Sequence, residues 1–137
     1  VKNNLKLATL SEKVKKKIET LYSGVDATNP IDIIADARAE RYEKVLELVL
    51  ADKNVDGVLI INMLKSCFFE PKDAKVIPKI AAKYPDKPVV DVPTGGEDFA
   101  LVYKVLGNTS IPSYNLPEKA ARALKVLRTY GKIVEKH

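Results

Sequence analysis

The chain has 137 residues, 46% of them hydrophobic and 30% charged, which is enough for one domain with its own core and too few for a multidomain enzyme. Lys+Arg 23 against Asp+Glu 18 gives a formal net charge of +5, basic but mixed. One cysteine and one histidine exclude a disulfide framework and a Cys/His metal cluster.

No apolar run approaches the ~20 residues of a membrane span, and no charged-then-apolar start reads as a signal peptide; the expected setting is cytoplasmic, with no membrane partner. Lys13, Lys15, Lys16 and Lys17 make the one basic run, and acids surround most other lysines. Without stacked aromatics or zinc-finger spacing, this charge reads as solvated surface, and no nucleic-acid partner is expected.

Leu5, Leu7 and Leu10 predict a short strand in LKLATL. Ser11 offers an N-cap hydroxyl to a helix carrying Val14, Ile18, Leu21 and Tyr22 at helical spacing. Gly24, Asn29 and Pro30 break that helix, and IDII follows as a short extended piece. Tyr42, Val45, Leu46, Val49 and Leu50 form the apolar stripe of a second helix, with Asp36 as the expected N-cap and a stop near Asp52. VLIIN is a continuous apolar run without alternation, which fits a parallel strand covered on both faces.

Pro71 and Asp73 mark the start of a third helix, which Pro78 should kink or split. PDKPVVDVP gives the next strand, ending at Pro93, Glu97 and Asp98 open a fourth helix, IPSYN gives a last short strand, and Pro117 and Glu118 start the final helix. The expected order is β-α five times over, an α/β parallel sheet with helices on both faces and no internal linker, hence one domain over residues 1–137.

Such a sheet binds ligands at the carboxyl ends of its strands. The Thr94-Gly95-Gly96 loop could present backbone N–H groups to an anion or be an ordinary tight turn. It lacks the lysine of a P-loop, and Glu97 and Asp98 would oppose a phosphate there. The loop Met63, Leu64, Lys65, Ser66, Cys67, Phe68, Phe69, Glu70 exceeds the usual two to six residues. Its Phe68 and Phe69 either dock on another surface or pack on the neighbouring helix. Cys67 needs an activating base, and the single histidine is the last residue, His137, so Cys67 reads as a small hydrophobe. Asp32, Asp36 and Asp91 near strand ends could bind a divalent ion as in receiver domains. IPSYN carries no matching lysine, so caps and turns are the expected roles and no metal site is assigned.

Four segments in register carry a family resemblance: NPIDIIADARAERYEKVLELVLADKNVDGVLIIN, EPKDAKVIPKIAAKYPDKPVV, PTGGEDF and SIPSYNLPEKAARALKVL. Together they resemble the flavodoxin-like CoA-ligase domain of ADP-forming acyl-CoA synthetases, acetate–CoA ligase (ADP-forming) among them and succinyl-CoA synthetase more distantly. The resemblance implies a three-layer, flavodoxin-like fold whose first strand, in the middle of the 2-1-3-4-5 order, is absent here, so that the chain is expected to be a fragment or to need a complement.

The resemblance also implies interconversion of acid, CoA and ATP with acyl-CoA, ADP and phosphate through an acyl-phosphate and a phosphohistidine. His137 lies at the wrong end to be that histidine. The loops at Asn62, Met63, Leu64, Lys65 and Ser66 and at Thr94, Gly95 and Gly96 are implied to face the phosphohistidine and substrate, although Met63–Ser66 stands where succinyl-CoA synthetase is glycine-rich. Phe68 and Phe69 are the expected interface, and no catalytic residue is assigned. CoA and ATP or ADP with Mg are expected on other parts of the complete enzyme. The implied partners are CoA-binding and phosphohistidine domains and an ATP-grasp domain or subunit, with a homo-oligomer open. A non-enzymatic flavodoxin-like interaction module is the rival reading.

Overall fold

The computed structural model describes residues 5–63, 68–95 and 99–134. Its first helix, α1, runs Glu12–Leu21, with Ser11 as the extended N-cap residue. The expected hydroxyl cap is not made. Instead the Ser11 backbone N–H donates to Asp52 Oδ2 at 2.7 Å, and Asp52 Oδ1 accepts the Asn54 N–H at 3.0 Å. The two donors hold the Asp52 carboxyl below the usual carboxylate range although burial acts against them.

Residues 5–10 form no ladder, contrary to the expected strand. Their carbonyls go to side-chain amides: Asn29 Nδ2 donates to the Ala8 carbonyl at 2.9 Å and Asn54 Nδ2 to the Thr9 carbonyl at 3.1 Å. Leu10 is buried all the same, in a cluster with Ile18, Val25, Val45, Val49 and Val55. IDII likewise makes only one antiparallel bridge, Asp26 to Asp32. Both carboxylates are occupied locally, Asp26 Oδ1 by the Thr28 N–H at 2.7 Å and Asp32 Oδ1 by the Ile34 N–H at 2.9 Å, so this stretch becomes a pair of Asx turns.

Helix α2, Ala39–Ala51, buries Val45, Leu46, Val49 and Leu50 and stops at Asp52 as its sequence requires. Its N-cap is Arg38, not Asp36. Asp36 is drawn away by Arg41, whose Nη1 lies 2.5 Å from Asp36 Oδ1 and also donates to the Ile33 carbonyl at 2.9 Å.

The sheet is built from β1, Val58–Met63, and β2, Val89–Thr94, parallel and in register from Val58↔Val89 to Met63↔Thr94. At the root of β1 the backbone approach is close: a Cβ on Gly57 would sit 3.0 Å from both the Pro88 carbonyl oxygen and its ring. IPSYN contributes one parallel bridge, Asp91 to Ser113, with the Asp91 N–H donating to the Pro112 carbonyl at 3.0 Å. Pro112 lacks an N–H and so cannot extend a ladder. Among the described residues the five expected strands reduce to two full ones and two isolated bridges.

Between β1 and β2 the expected single helix divides. Residues Pro71–Lys75 form a 3-10 turn and Val76–Ala81 form α3. The break falls before Pro78, which sits in the first turn of α3, where its missing N–H costs no bond. The 3-10 turn is capped as Pro71 and Asp73 suggested, the Glu70 N–H donating to Asp73 Oδ2 at 2.9 Å. Two further helices follow, α4 at Phe99–Leu106 and α5 at Pro117–Val134. The expected opening of α4 at Glu97 and Asp98 lies outside the described residues.

Alternation along the strands sorts the layers. Val58, Ile60 and Val89 face Leu46, Leu50, Ile77, Ile80, Val102 and Leu106 of α2, α3 and α4. Leu59, Val90 and Val92 face Ala120 and Leu124 of α5. Helices thus cover both faces of a parallel sheet, the three-layer α/β arrangement. No helix among the described residues is long and apolar enough to cross a membrane.

The Asp52 side chain fastens the start of α1 to the end of α2, beside the Asn54 amide on the Thr9 carbonyl. Asp52→Ala leaves the Ser11 and Asn54 N–H groups without acceptors and is expected to lower the unfolding free energy by about 2 kcal/mol in urea titrations. Lys83→Ala, which removes the solvent-exposed pair with Glu47 at 2.6 Å, should change it by less than about 0.5 kcal/mol.

Candidate functional site

Because β1 and β2 are in register, the loops that follow them leave the sheet side by side. Asn62 pairs with Pro93 and Met63 with Thr94, and Thr94 Oγ1 donates to the Asn62 carbonyl at 2.9 Å. Gly95 turns the chain out of β2 at a φ of 88°, a left-handed conformation that glycine adopts without strain. Both expected loops therefore start at one edge. Their centres, Leu64, Lys65, Ser66 and Gly96, lie outside the described residues, as do Cys67 and His137.

Two expectations change at this edge. Asn62 does not present its side chain outward with the loop: it is fully buried and turned to the α2–α4 side, while Met63 points to the α5 side and is exposed. Phe68 and Phe69 also part company. Phe69 is 1% exposed, a core residue whose ring meets that of Tyr42 at a centroid distance of 4.4 Å, so it cannot dock on a partner. Phe68 is half-exposed, with the Arg38 guanidinium 5.4 Å above its ring. The two neighbours leave the chain on opposite sides, and the apolar environment beneath α2 takes the second.

The buried polar centre of the edge is Asp91. Asn62 Nδ2 donates to its Oδ1, and Ser113 Oγ donates to its Oδ2 at 3.3 Å. The main chain of Asp91 is bonded to the 112–114 segment on both sides, through the Pro112 carbonyl and the Tyr114 N–H. Burial pushes the Asp91 carboxyl up to about 6, against the donors from Asn62, Ser113 and the Val92 N–H. Burial, with the Asp91 charge added, pushes Tyr42 up to about 12 despite the Met63 backbone, and raises Tyr103 as well. Asp32 and Asp36, the other strand-end carboxylates, are engaged separately by Ile34 and Arg41. Among the described residues no group of three His, Cys, Asp or Glu side chains could hold a metal ion.

Sequence reasoning placed Asp91 at a strand end but did not recognise its pairing with Asn62. The signal was present: a carboxylate inside VVDV, a run otherwise apolar on both faces, needs a buried partner, and Asn62 is the polar residue on the same face of the adjacent strand.

No family profile matches the chain. It does resemble curated relatives over nearly its whole length. It is 34% identical over 91% of its residues to acetate–CoA ligase (ADP-forming) I of Archaeoglobus fulgidus, and 31% identical over 97% to acetate–CoA ligase (ADP-forming) II subunit alpha of Pyrococcus furiosus. Among solved structures, PH0766 from Pyrococcus horikoshii superimposes on 92% of the chain with a TM-score of 0.85 at 31% identity. The dinucleotide-forming acetyl-coenzyme A synthetase 1 of Candidatus Korarchaeum cryptofilum superimposes on 96% with a TM-score of 0.83 at 25% identity.

The fold is that of one α/β domain of ADP-forming acyl-CoA synthetases, and the chain is homologous to a segment of these ligases. It spans 17% and 30% of the length of the two relatives and 30% and 29% of the two solved chains.

A carboxyl whose folded value lies above its unfolded one stabilises the fold at low pH and loses that stabilisation as pH rises from about 4 through about 6. The shift corresponds to about 3 kcal/mol at most. Asp91→Asn should therefore gain on the wild type in unfolding free energy across that window, with the difference between the two constant above it, as thermal melts at a series of pH values would show. Phe69→Ala should cost about 3 to 5 kcal/mol and Phe68→Ala less than about 1 kcal/mol, measured by chemical denaturation.

Proposed function

We propose that the chain serves as one domain of an ADP-forming acyl-CoA synthetase, the class that converts a carboxylic acid, CoA and ATP to acyl-CoA, ADP and phosphate. The observation that carries this reading is the end-to-end match to two such ligases, 34% and 31% identical over 91% and 97% of the chain. One of the structural neighbours has been solved with phosphate and ADP.

Within that enzyme the domain's share is position and electrostatics. The strand ends at Met63 and Thr94 stand together at the carboxyl edge, and α4 begins beyond Thr94. The N-terminus of α4 carries about half a unit of positive charge and favours an anion at that edge, against the opposing charges of Glu97 and Asp98. This is the charge that a phosphorylated intermediate requires. The side chains described there do not fit a nucleotide phosphate or a magnesium ion: Asn62 is turned inward, Met63 is apolar, and the Thr94 hydroxyl is engaged by the Asn62 carbonyl. On this reading CoA, nucleotide and Mg belong to CoA-binding, phosphohistidine and ATP-grasp portions, with which this domain packs. A non-enzymatic docking module would have to work through Phe68 without Phe69, which weakens that alternative.

With acetate, CoA and Mg-ATP, the purified chain alone should form no acetyl-CoA, and turnover should appear when the CoA-binding, phosphohistidine and ATP-grasp portions are added. Turnover by the chain alone, or none in the complete mixture although the parts bind one another, would sink the assignment.

A further inference from the structure

Asn62 and Asp91 are both fully buried, on adjacent strands and on the same face of the sheet. Asn62 Nδ2 and Ser113 Oγ donate to the two carboxyl oxygens, so Asp91 acts only as an acceptor, as an ionised carboxylate does. That arrangement leaves Asn62 Oδ1 buried without a hydrogen-bond partner. Among the described residues, the side chains that face Asp91 are Asn62 from β1, Tyr42 from α2, Tyr103 from α4, and Ser113 from the 112–114 segment. No cation is among them. Both phenols near it are neutral throughout the physiological range, their ionisation being pushed upward.

A carboxyl and a carboxamide in contact have two complementary arrangements. Either the amide N–H donates to a carboxylate, or a protonated carboxyl donates its O–H to the amide carbonyl; a half-turn of the amide relates the two. We propose that Asn62 and Asp91 form a proton-operated latch at the carboxyl edge of the sheet, in which one proton on Asp91 turns the Asn62 carboxamide over and resets the two strand ends that it joins. The proton comes from solvent to Asp91 Oδ1 and returns there, and no other covalent bond changes. The O–H then satisfies Asn62 Oδ1, the atom left without a partner in the ionised arrangement.

The latch reaches the loops through short connections. The Asn62 carbonyl holds Thr94 Oγ1 at 2.9 Å, and the backbone of the next residue, Met63, interacts with the Tyr42 phenol above Asp91. Burial brings the Asp91 proton into play at about 6, inside the range a cell traverses. Only the consequence for a phosphorylated intermediate rests on the synthetase reading. The latch itself belongs to this chain's fold and is tested without turnover.

The test is NMR of the labelled 137-residue chain between about pH 4 and pH 8. The Asp91 carboxyl carbon, the Asn62 side-chain nitrogen and the Thr94 amide are expected to share one midpoint near 6. Asp91→Asn should abolish the transitions at Asn62 and Thr94. Ser113→Ala removes a donor from the ionised form, should shift the midpoint upward by about half a unit, and serves even where Asp91→Asn does not fold. An Asp91 midpoint at the ordinary carboxylate value of about 4, or Asn62 and Thr94 signals that do not move with Asp91, overturns the proposal.

Discussion

Parallel pairing of Val58–Met63 with Val89–Thr94 is the constraint on which the remaining architecture depends. A parallel ladder needs a crossover between its strands, and here the crossover is the 3-10 turn with α3, laid across α2. The pleat then divides each strand's side chains between two faces, and both sets are mainly apolar. Neither face can be left to water, so helices must cover each. Register fixes the chemistry as well, since it brings the ends of both strands, and the loops that leave them, to one edge.

The helices were legible in the sequence because their evidence is local. A 3.6-residue spacing of Val45, Leu46, Val49 and Leu50 means the same thing whatever the rest of the chain does, and α5 begins at Pro117 as its turn chemistry requires. The strands were legible only where the apolar run was continuous. LKLATL and IDII carry the right residues, but backbone groups in them are taken by Asn29, Asn54 and Asp32. Short polar side chains compete with a ladder for the same donors and acceptors, and which side wins depends on residues far away in sequence. Asp36 failed as a cap for the same reason, with Arg41 the stronger partner. The Phe68–Phe69 pair shows the limit from the other side: composition marked two large aromatics in a loop, and only packing against Tyr42 decides which one is inside.

The site was legible as a place and not as a set of contacts. Topology alone puts ligands at the carboxyl edge of a parallel sheet, and that edge is where the loops at Asn62 and Thr94 meet. What topology does not reveal is that Asn62 turns inward. Homology to long ADP-forming ligases adds the scale, since the chain spans only 17% and 30% of the length of two such relatives.

Asp91 is the costliest residue in that arrangement, an acid under α2 and α4 with tyrosines around it and, among the described residues, no cation. An apolar residue of similar size would spare the desolvation. It would also strand the Asn62 amide and the Ser113 hydroxyl, each a buried or half-buried group whose partner is this carboxyl. The polar trio must therefore be kept or replaced as a unit. Because its members come from β1, β2 and the 112–114 segment, it pins three neighbouring chain segments at the level where their loops depart. Apolar contacts are tolerant of small slips, whereas a buried donor and acceptor are satisfied in few geometries. The penalty at Asp91 is thus the physical counterpart of a well-defined edge.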